Sequence, residues 1–299
     1  MKSNSFYENN LNEGNNTKIE EFINKLFLSM DHGELNDNIT DEELIEKSYY
    51  NSYLLIFNSL QLLNSKDKNE INVYLLNAAE TLETLSRLNH PKLNKEELIF
   101  DSMITYYISN NYSRAYVLSK DNANIKLPKY KKSIFLFMNK DFHKLRNLIL
   151  KEINSDDYDE DLLIEKLESN EISNFDALEK MLSYSIFKAL HNVLNFLLLG
   201  DNIFIDDSLD LLDKYKNISL THNFIDYWWV ISCLEIIINE LYENSLWNQL
   251  KPFYSDSDEE LNNKLTNYIF NYANKETPIV ELWPSQKSAI PKILEMMKI

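Results

Sequence analysis

Acidic residues in the segment NSDDYDED have the spacing of a calcium-binding loop. Asp157, Asp159 and Asp161 alternate along the chain, and Glu168 stands twelfth counting from Asp157. An EF-hand loop needs glycine at its sixth position for a sharp turn, but that position holds Leu162. Acidic residues ahead of an apolar run also suit a helix N-terminus, where they cap free N–H groups. We therefore interpret the segment as an acidic helix start and expect no metal site.

The five histidines have no spacing typical of a catalytic or metal site. They are His32, His90, His143, His191 and His222, and none forms H-E-x-x-H or H-x-H. No nucleophile, base and orienting acid can be assembled within one stretch, although distant residues can meet in a fold. We expect no catalytic residue in this chain. An enzyme with a dispersed acidic site is an alternative.

Tryptophans are concentrated in one apolar stretch of the second half. Trp228, Trp229 and Trp247 lie there, and no Lys or Arg occurs from Thr221 to Gln249. Aromatic platforms that stack nucleic-acid bases are accompanied by basic residues, so this stretch lacks their charge. We expect a central buried helix here, and a partner-binding groove is the alternative.

The C-terminal segment ELWPSQKSAIPKILEMMKI has a recognisable order of residue types. Trp283 and Pro284 precede Gln286, and a predicted helix follows that contains Ala289, Ile290 and Leu294. A glutamine amide donates and accepts hydrogen bonds simultaneously, which suits the N6 and N7 edge of adenine. The pattern resembles the opening motif of superfamily 2 helicases of the DEAD-box and Ski2-like kind. That resemblance implies that Trp283, Pro284 and Gln286 are remnants of an adenine-reading motif.

Residues 78–88, 97–120 and 227–250 add to the helicase resemblance. They resemble helical regions that precede the motor in bacterial anti-phage helicases of the Hachiman type. The resemblance implies a noncatalytic scaffold or regulatory module of a DNA-acting defence helicase, which docks a protein partner such as a nuclease subunit. Residues 277–299 would be the start of the helicase motif without the motor, so ATP and magnesium would be cofactors only where a motor follows. The alternative is a free-standing, tetratricopeptide-like (TPR-like) adaptor for protein–protein interaction.

Composition excludes several common functional designs. The 299 residues include three separated glycines, so Gly-rich phosphate loops and the G-x-S-x-G elbow are absent. The single cysteine, Cys233, excludes an intrachain disulfide and fits a reducing, cytoplasmic compartment. The formal charge is −17, and Arg87, Arg114 and Arg146 are the only arginines, so we expect no direct nucleic-acid binding. Apolar runs are too short to cross a membrane, and we expect no membrane association.

Apolar residues at helical spacing dominate the chain from Thr17 onward and predict an all-α fold. We expect an irregular helical bundle or a TPR-like α-solenoid, with a small residue, Ala115, where two helices cross. The predicted organisation is a disordered tail at 1–16, a helical subdomain at 17–153, an acidic linker at 154–161, a second helical subdomain at 162–276, and the motif segment 277–299. Since the motor is missing, we expect the apolar residues of 277–299 to pack loosely.

The charge balance yields a first prediction. At physiological salt the isolated chain should bind duplex DNA more weakly than the about 10⁻⁴ to 10⁻⁶ M that is typical of nonspecific binders, because it lacks clustered cations. A gel shift measures this directly. Retention of duplex DNA at low protein concentration would contradict it.

Overall fold

The structure is a computed structural model that describes residues 42–63, 67–88, 90–254, 259–275, 278–282 and 284–287. Every regular element in these ranges is helical, and one isolated bridge joins Ser245 and Glu281. The all-α prediction is confirmed as a helical bundle, and the solenoid alternative stays a prediction. The predicted tail at 1–16 and the helix expected after Thr17 lie outside the described residues.

The first compact unit extends to Lys131. Its described helices each pack against the next one along the chain. They are α1 (Glu42–Leu62), α2 (Lys68–Ser86), α3 (Lys95–Ile108) and α4 (Tyr112–Asp121).

The second compact unit begins at Lys132, within helix α5 (Lys129–Met138). The longest helix of this unit, α8, contacts α6, α7, α9, α10 and α12 and forms its centre. The helices are α6 (Phe142–Ile153), α7 (Glu160–Glu168), α8 (Asn174–Leu199), α9 (Ile203–Thr221), α10 (Ile225–Asn244), α11 (Leu246–Leu250), α12 (Glu259–Ala273) and α13 (Pro284–Lys287), with a 3₁₀ turn at Lys251–Phe253.

The division between the units differs from the predicted linker at 154–161. That segment is folded into the second unit: the Tyr158 ring packs against Tyr184 and Phe187 of α8, and Asp157 forms an ion pair with Lys180. An acidic, polar composition is shared by linkers and by helix starts, so composition alone did not separate the two. The two compact units divide between Lys131 and Lys132, inside α5.

Small residues allow close helix approach in both units. In the first, the Ser102 hydroxyl of α3 donates to the Ala79 carbonyl of α2 at 2.8 Å. In the second, the Ser208 hydroxyl of α9 donates to the Ala189 carbonyl of α8 at 3.1 Å. A hydroxyl reaches a neighbouring backbone only where no large side chain separates the helices. Ala115 is buried on α4, as the crossing-point interpretation predicts.

Asparagine takes the place of glycine at several helix ends. Asn110, Asn170 and Asn223 follow α3, α7 and α9 with φ of 65°, 58° and 62°. Asparagine tolerates the left-handed conformation better than most residues, so a glycine-poor chain can still stop its helices. Only Gly200, after α8, supplies this conformation with glycine among the described residues (φ 73°).

The apolar helices α8 and α10 form the interior of the second unit. Among the described residues, only α8 is long and apolar enough to span a membrane by length and composition. In its most apolar 18-residue stretch, 61% is buried inside the protein. On α10, Trp228 and Trp229 are buried. The prediction of a central buried helix at the tryptophan-rich stretch is therefore confirmed.

The expected loose packing of the C-terminal segment holds only in part within residues 278–282: Ile279 is 36% exposed, whereas its neighbours are held to the second unit. The Leu246 N–H donates to the Val280 carbonyl at 3.0 Å, and the Leu282 N–H donates to the Asn244 carbonyl at 2.8 Å. Val280 is buried, and Glu281 accepts from Lys140 Nζ at 2.6 Å. Leu282 packs against the core cluster of Leu246, Leu250, Leu265 and Ile269. These backbone and ionic contacts do not require a motor domain.

The end of α8 yields a stability prediction. A Cβ added to Gly200 would lie 2.6 Å from the Trp247 ring, and the Trp247 indole is held in place because its N–H donates to the Leu197 carbonyl at 3.0 Å. Gly200→Ala should destabilise the protein by about 2–4 kcal/mol through backbone strain plus overlap. Asn170→Ala introduces only the strain and should cost about 1 kcal/mol. Urea unfolding measures both variants, and equal losses would contradict the overlap.

Candidate functional site

The predicted adenine-reading residues are only partly visible. Trp283 lies outside the described residues, as do Ala289, Ile290 and Leu294 of the same motif. Pro284 begins the short helix α13, and the Gln286 side chain is exposed. The neighbouring Lys287 donates from Nζ to the Asn244 side-chain oxygen at 2.5 Å, which ties α13 to the end of α10. Because Trp283 lies outside the described residues, the adenine-reading motif of Trp283, Pro284 and Gln286 stays a prediction.

The acidic segment caps a helix. The Asp159 carboxylate accepts from the Leu162 N–H at 3.0 Å and begins α7, while Asp161 is already inside that helix. No group of three or more His, Cys, Asp or Glu side chains in the described ranges could hold a metal ion. The interpretation of this segment as an acidic helix start is confirmed.

Among the histidines that the structure describes, His191 has a shifted pKa. It lies on α8, half-buried, and burial together with the charges of Lys188 and Arg146 lowers its pKa. The exposed His143 approaches the Asn147 side chain to 3.5 Å. His32 lies outside the described residues.

A buried carboxylate in the first unit forms the best-defined polar cluster. Glu83 is only 4% exposed and lies on α2. Its Oε1 accepts from Arg87 Nη2 at 2.5 Å and also from Arg114 Nη2. Its Oε2 accepts from the Tyr106 hydroxyl at 2.8 Å and from Arg114 Nε at 3.0 Å. Each oxygen of the carboxylate thus has two donors, which satisfies a buried charge.

Three helices supply this cluster. Glu83 and Arg87 are four residues apart on α2, so their side chains lie on the same helix face. Tyr106 comes from α3 and Arg114 from α4. The close approach of α2 and α3 at Ala79 brings the tyrosine within reach of the carboxylate. The hairpin turn between α3 and α4 then returns the chain so that the second guanidinium meets the same carboxylate.

The electrostatics of the cluster favour the charged forms. Burial by itself would raise the pKa of Glu83, but hydrogen bonds from Arg114 and Tyr106 and the Arg114 charge hold it below the ordinary value. The hydrogen bond to Glu83 raises the pKa of Arg114. Burial, followed by the Glu83 charge, raises the pKa of Tyr106. Because neither Glu83 nor Tyr106 titrates near neutral pH, the cluster is suited to binding rather than to proton transfer.

The two arginines open into a cleft of about 240 Å³. Arg87 and Arg114 are 42% and 41% exposed, so their guanidinium groups reach solvent. The cleft also contains an ammonium, a carboxylate, an amide and apolar side chains; its further lining residues are Ser86, Lys95, Ile99, Val117, Leu118, Asp121 and Asn122. Guanidinium groups that are already fixed by hydrogen bonds lose little entropy when they bind an anion. This arrangement can hold an anionic oxygen group.

Sequence reasoning missed this site. The scarcity of arginine argued against phosphate recognition, yet two of the three arginines converge on one carboxylate. The spacing of Glu83 and Arg87 was a readable signal for a helical ion pair. Nothing in the sequence indicates that Arg114, in the next hairpin, would join them.

Comparison with known proteins adds no family. No protein-family model matches the chain, and no curated protein matches it either.

The cluster yields a pH-dependent stability prediction. Glu83→Gln should destabilise the protein by about 2 kcal/mol near pH 7, since charge-assisted hydrogen bonds to partly exposed arginines are lost. The folded pKa of Glu83 lies below the ordinary 4.5, so its contribution exists above that pH and disappears as the pH falls through the folded pKa. The gap between wild type and variant should therefore shrink below about pH 4.5 in urea unfolding.

The control for this prediction is Glu80→Gln, one turn away on α2. Burial and the Glu83 charge raise the pKa of Glu80, so neutralising it should have no cost or should stabilise slightly. A loss for Glu80→Gln as large as that for Glu83→Gln would contradict the specific role of the Glu83 cluster.

Proposed function

We propose that this chain is a noncatalytic helical scaffold module of a DNA-acting defence helicase, and that it docks a protein partner such as a nuclease subunit. The observation that carries the docking part is the Arg87–Arg114 cleft. There, two guanidinium groups are fixed by a buried carboxylate and remain about two-fifths exposed. Such preorganised cations on an otherwise acidic chain suit recognition of one acidic group on a partner.

The charge distribution supports a role in orienting the partner. With a formal charge of −17, most of the protein surface repels acidic groups and attracts a basic partner surface. A basic partner that also presents one acidic group would bind more tightly with that group in the cleft. Any other orientation would leave the acidic group against like charge. The cleft would thus fix the orientation of the docked partner and also contribute to the affinity.

The helicase context is supported by the resemblance of Trp283, Pro284 and Gln286 to an adenine-reading motif. For this chain we propose no cofactor, no membrane association and no direct nucleic-acid binding, and we propose a cytoplasmic location. ATP and magnesium would belong to a motor that follows. The fixed charge state of Glu83 supports a binding role over catalysis.

A free-standing TPR-like adaptor is the second candidate function. The sequential packing of α1 to α4 and the buried Ala115 at a helix crossing favour it. The coding sequence after codon 299 separates the two candidates. A Walker A motif encoded there supports the helicase module, and its absence supports the adaptor.

The docking proposal is tested with a purified partner. The chain is mixed with a purified nuclease of the kind proposed as its partner, and the Kd is measured by calorimetry. Arg87→Gln should weaken binding at least about tenfold, because a charge-assisted contact is lost. The matched control is Arg146→Gln, which removes one arginine outside the cleft and should leave the Kd unchanged.

Two results would contradict the proposal. One is an unchanged Kd for Arg87→Gln with a correctly folded variant, which would remove the cleft from docking. The other is micromolar ATP binding or turnover by the isolated chain, which would contradict a noncatalytic role. A titration with ATP and magnesium measures the latter.

A further inference from the structure

The charge in the cleft is nearly balanced. Arg87, Arg114 and Lys95 are cationic, while Glu83 and Asp121 are anionic, and these side chains all line the same cleft. Three cations against two carboxylates leave one positive charge for a ligand. One carboxylate neutralises that charge. A phosphate group carries about −1.5 to −2 near neutral pH and would leave an excess of negative charge in an acidic protein.

Hydrogen-bond donors remain available in the cleft. A guanidinium has five N–H donors. Arg87 uses Nη2 toward Glu83, and Arg114 uses Nε and Nη2. The exposed ammonium of Lys95, at the start of α3, has no hydrogen-bond or ion-pair partner in the described part of the chain. The planar guanidinium groups of Arg87 and Arg114 match the two oxygens of a carboxylate.

The wall of the cleft is apolar. Ile99 and Leu118 are buried, and Val117 is 46% exposed. A volume of about 240 Å³ lies below the about 300–1,000 Å³ of cofactor and small-molecule sites, so a nucleotide does not fit the dimensions. A carboxylate attached to one small apolar side chain uses both the cationic and the apolar parts of the lining.

From the charge balance, the free donors and the apolar wall, we propose that the cleft binds the C-terminal carboxylate of a protein chain ending in a small apolar residue. In a C-terminal residue the carboxylate and the side chain are attached to the same Cα, so both can lie in one small cleft. The terminal carboxylate meets Arg87, Arg114 and Lys95, and the terminal side chain lies against Val117. This assignment rests on the proposed docking at the cleft and names the chemical group that docks.

The test uses three probes on the full chain. They are the peptide acetyl-Gly-Gly-Val with a free carboxylate, the same peptide as its C-terminal amide, and inorganic phosphate. Calorimetry should show binding of the free acid, at least about tenfold weaker binding of the amide, and weaker binding of phosphate than of the acid.

Variants connect the probe to the cleft. Lys95→Gln should weaken binding of the free acid about tenfold, and the fold should persist because Lys95 bonds to no other described residue. Lys151→Gln is the matched control, since Lys151 is an exposed lysine of the second unit that does not line the cleft. Circular dichroism verifies folding of both variants.

The outcomes separate this assignment from the proposed function. Equal affinity for acid and amide overturns the carboxylate assignment even if Arg87→Gln weakens partner docking. Tighter binding of phosphate than of the acid, or no binding of the acid at millimolar concentration, also overturns it. Binding of the acid that is lost in Lys95→Gln supports the site even if the nuclease does not bind the chain.

Discussion

A buried carboxylate requires donors for both oxygens, and Glu83 imposes this requirement on the first unit. Its charge is stable away from water only because Arg87, Arg114 and Tyr106 surround it. Those three side chains come from α2, α3 and α4, so these helices must pack closely enough for all three side chains to reach Glu83. Removing Arg114 would take away two of the four donors and the charge that Glu83 meets in a bidentate contact. The cluster therefore defines the relative placement of three helices.

The same requirement shapes the cleft. Hydrogen bonds to Glu83 keep Arg87 and Arg114 from turning fully to solvent. Each arginine side chain is nevertheless about two-fifths exposed. Both arginines line a concave surface that also has apolar residues. In a chain with 47 acidic and 30 basic residues, such a concentration of fixed cations is a local exception. An acidic ligand group gains the most binding free energy at such a local concentration of cations.

The second unit shows how a segment near the helicase-like motif is anchored. Residues 278–282 return to the junction of α10 and α11 through two backbone hydrogen bonds, and Glu281 pairs with Lys140. Lys287 then connects α13 to Asn244. Under the proposed function, a motor that follows would be attached at a defined point on the helical module. Attachment at a fixed point lets a partner bound to the module influence the motor's position.

The sequence by itself determined the fold class and the burial of the tryptophan-rich helix. Apolar spacing, caps and breakers act within a few residues along the chain, so these features were predictable without tertiary contacts. The helical ion pair of Glu83 and Arg87 and the cap at Asp159 were readable for the same reason, since both are local.

Only the tertiary structure decided the rest. The meeting of Arg114 and Tyr106 at Glu83, the division between Lys131 and Lys132, and the packing of Val280 all depend on contacts between residues distant in sequence. No local pattern encodes such contacts, because they depend on how whole helix faces fit together and on where a buried charge can find donors.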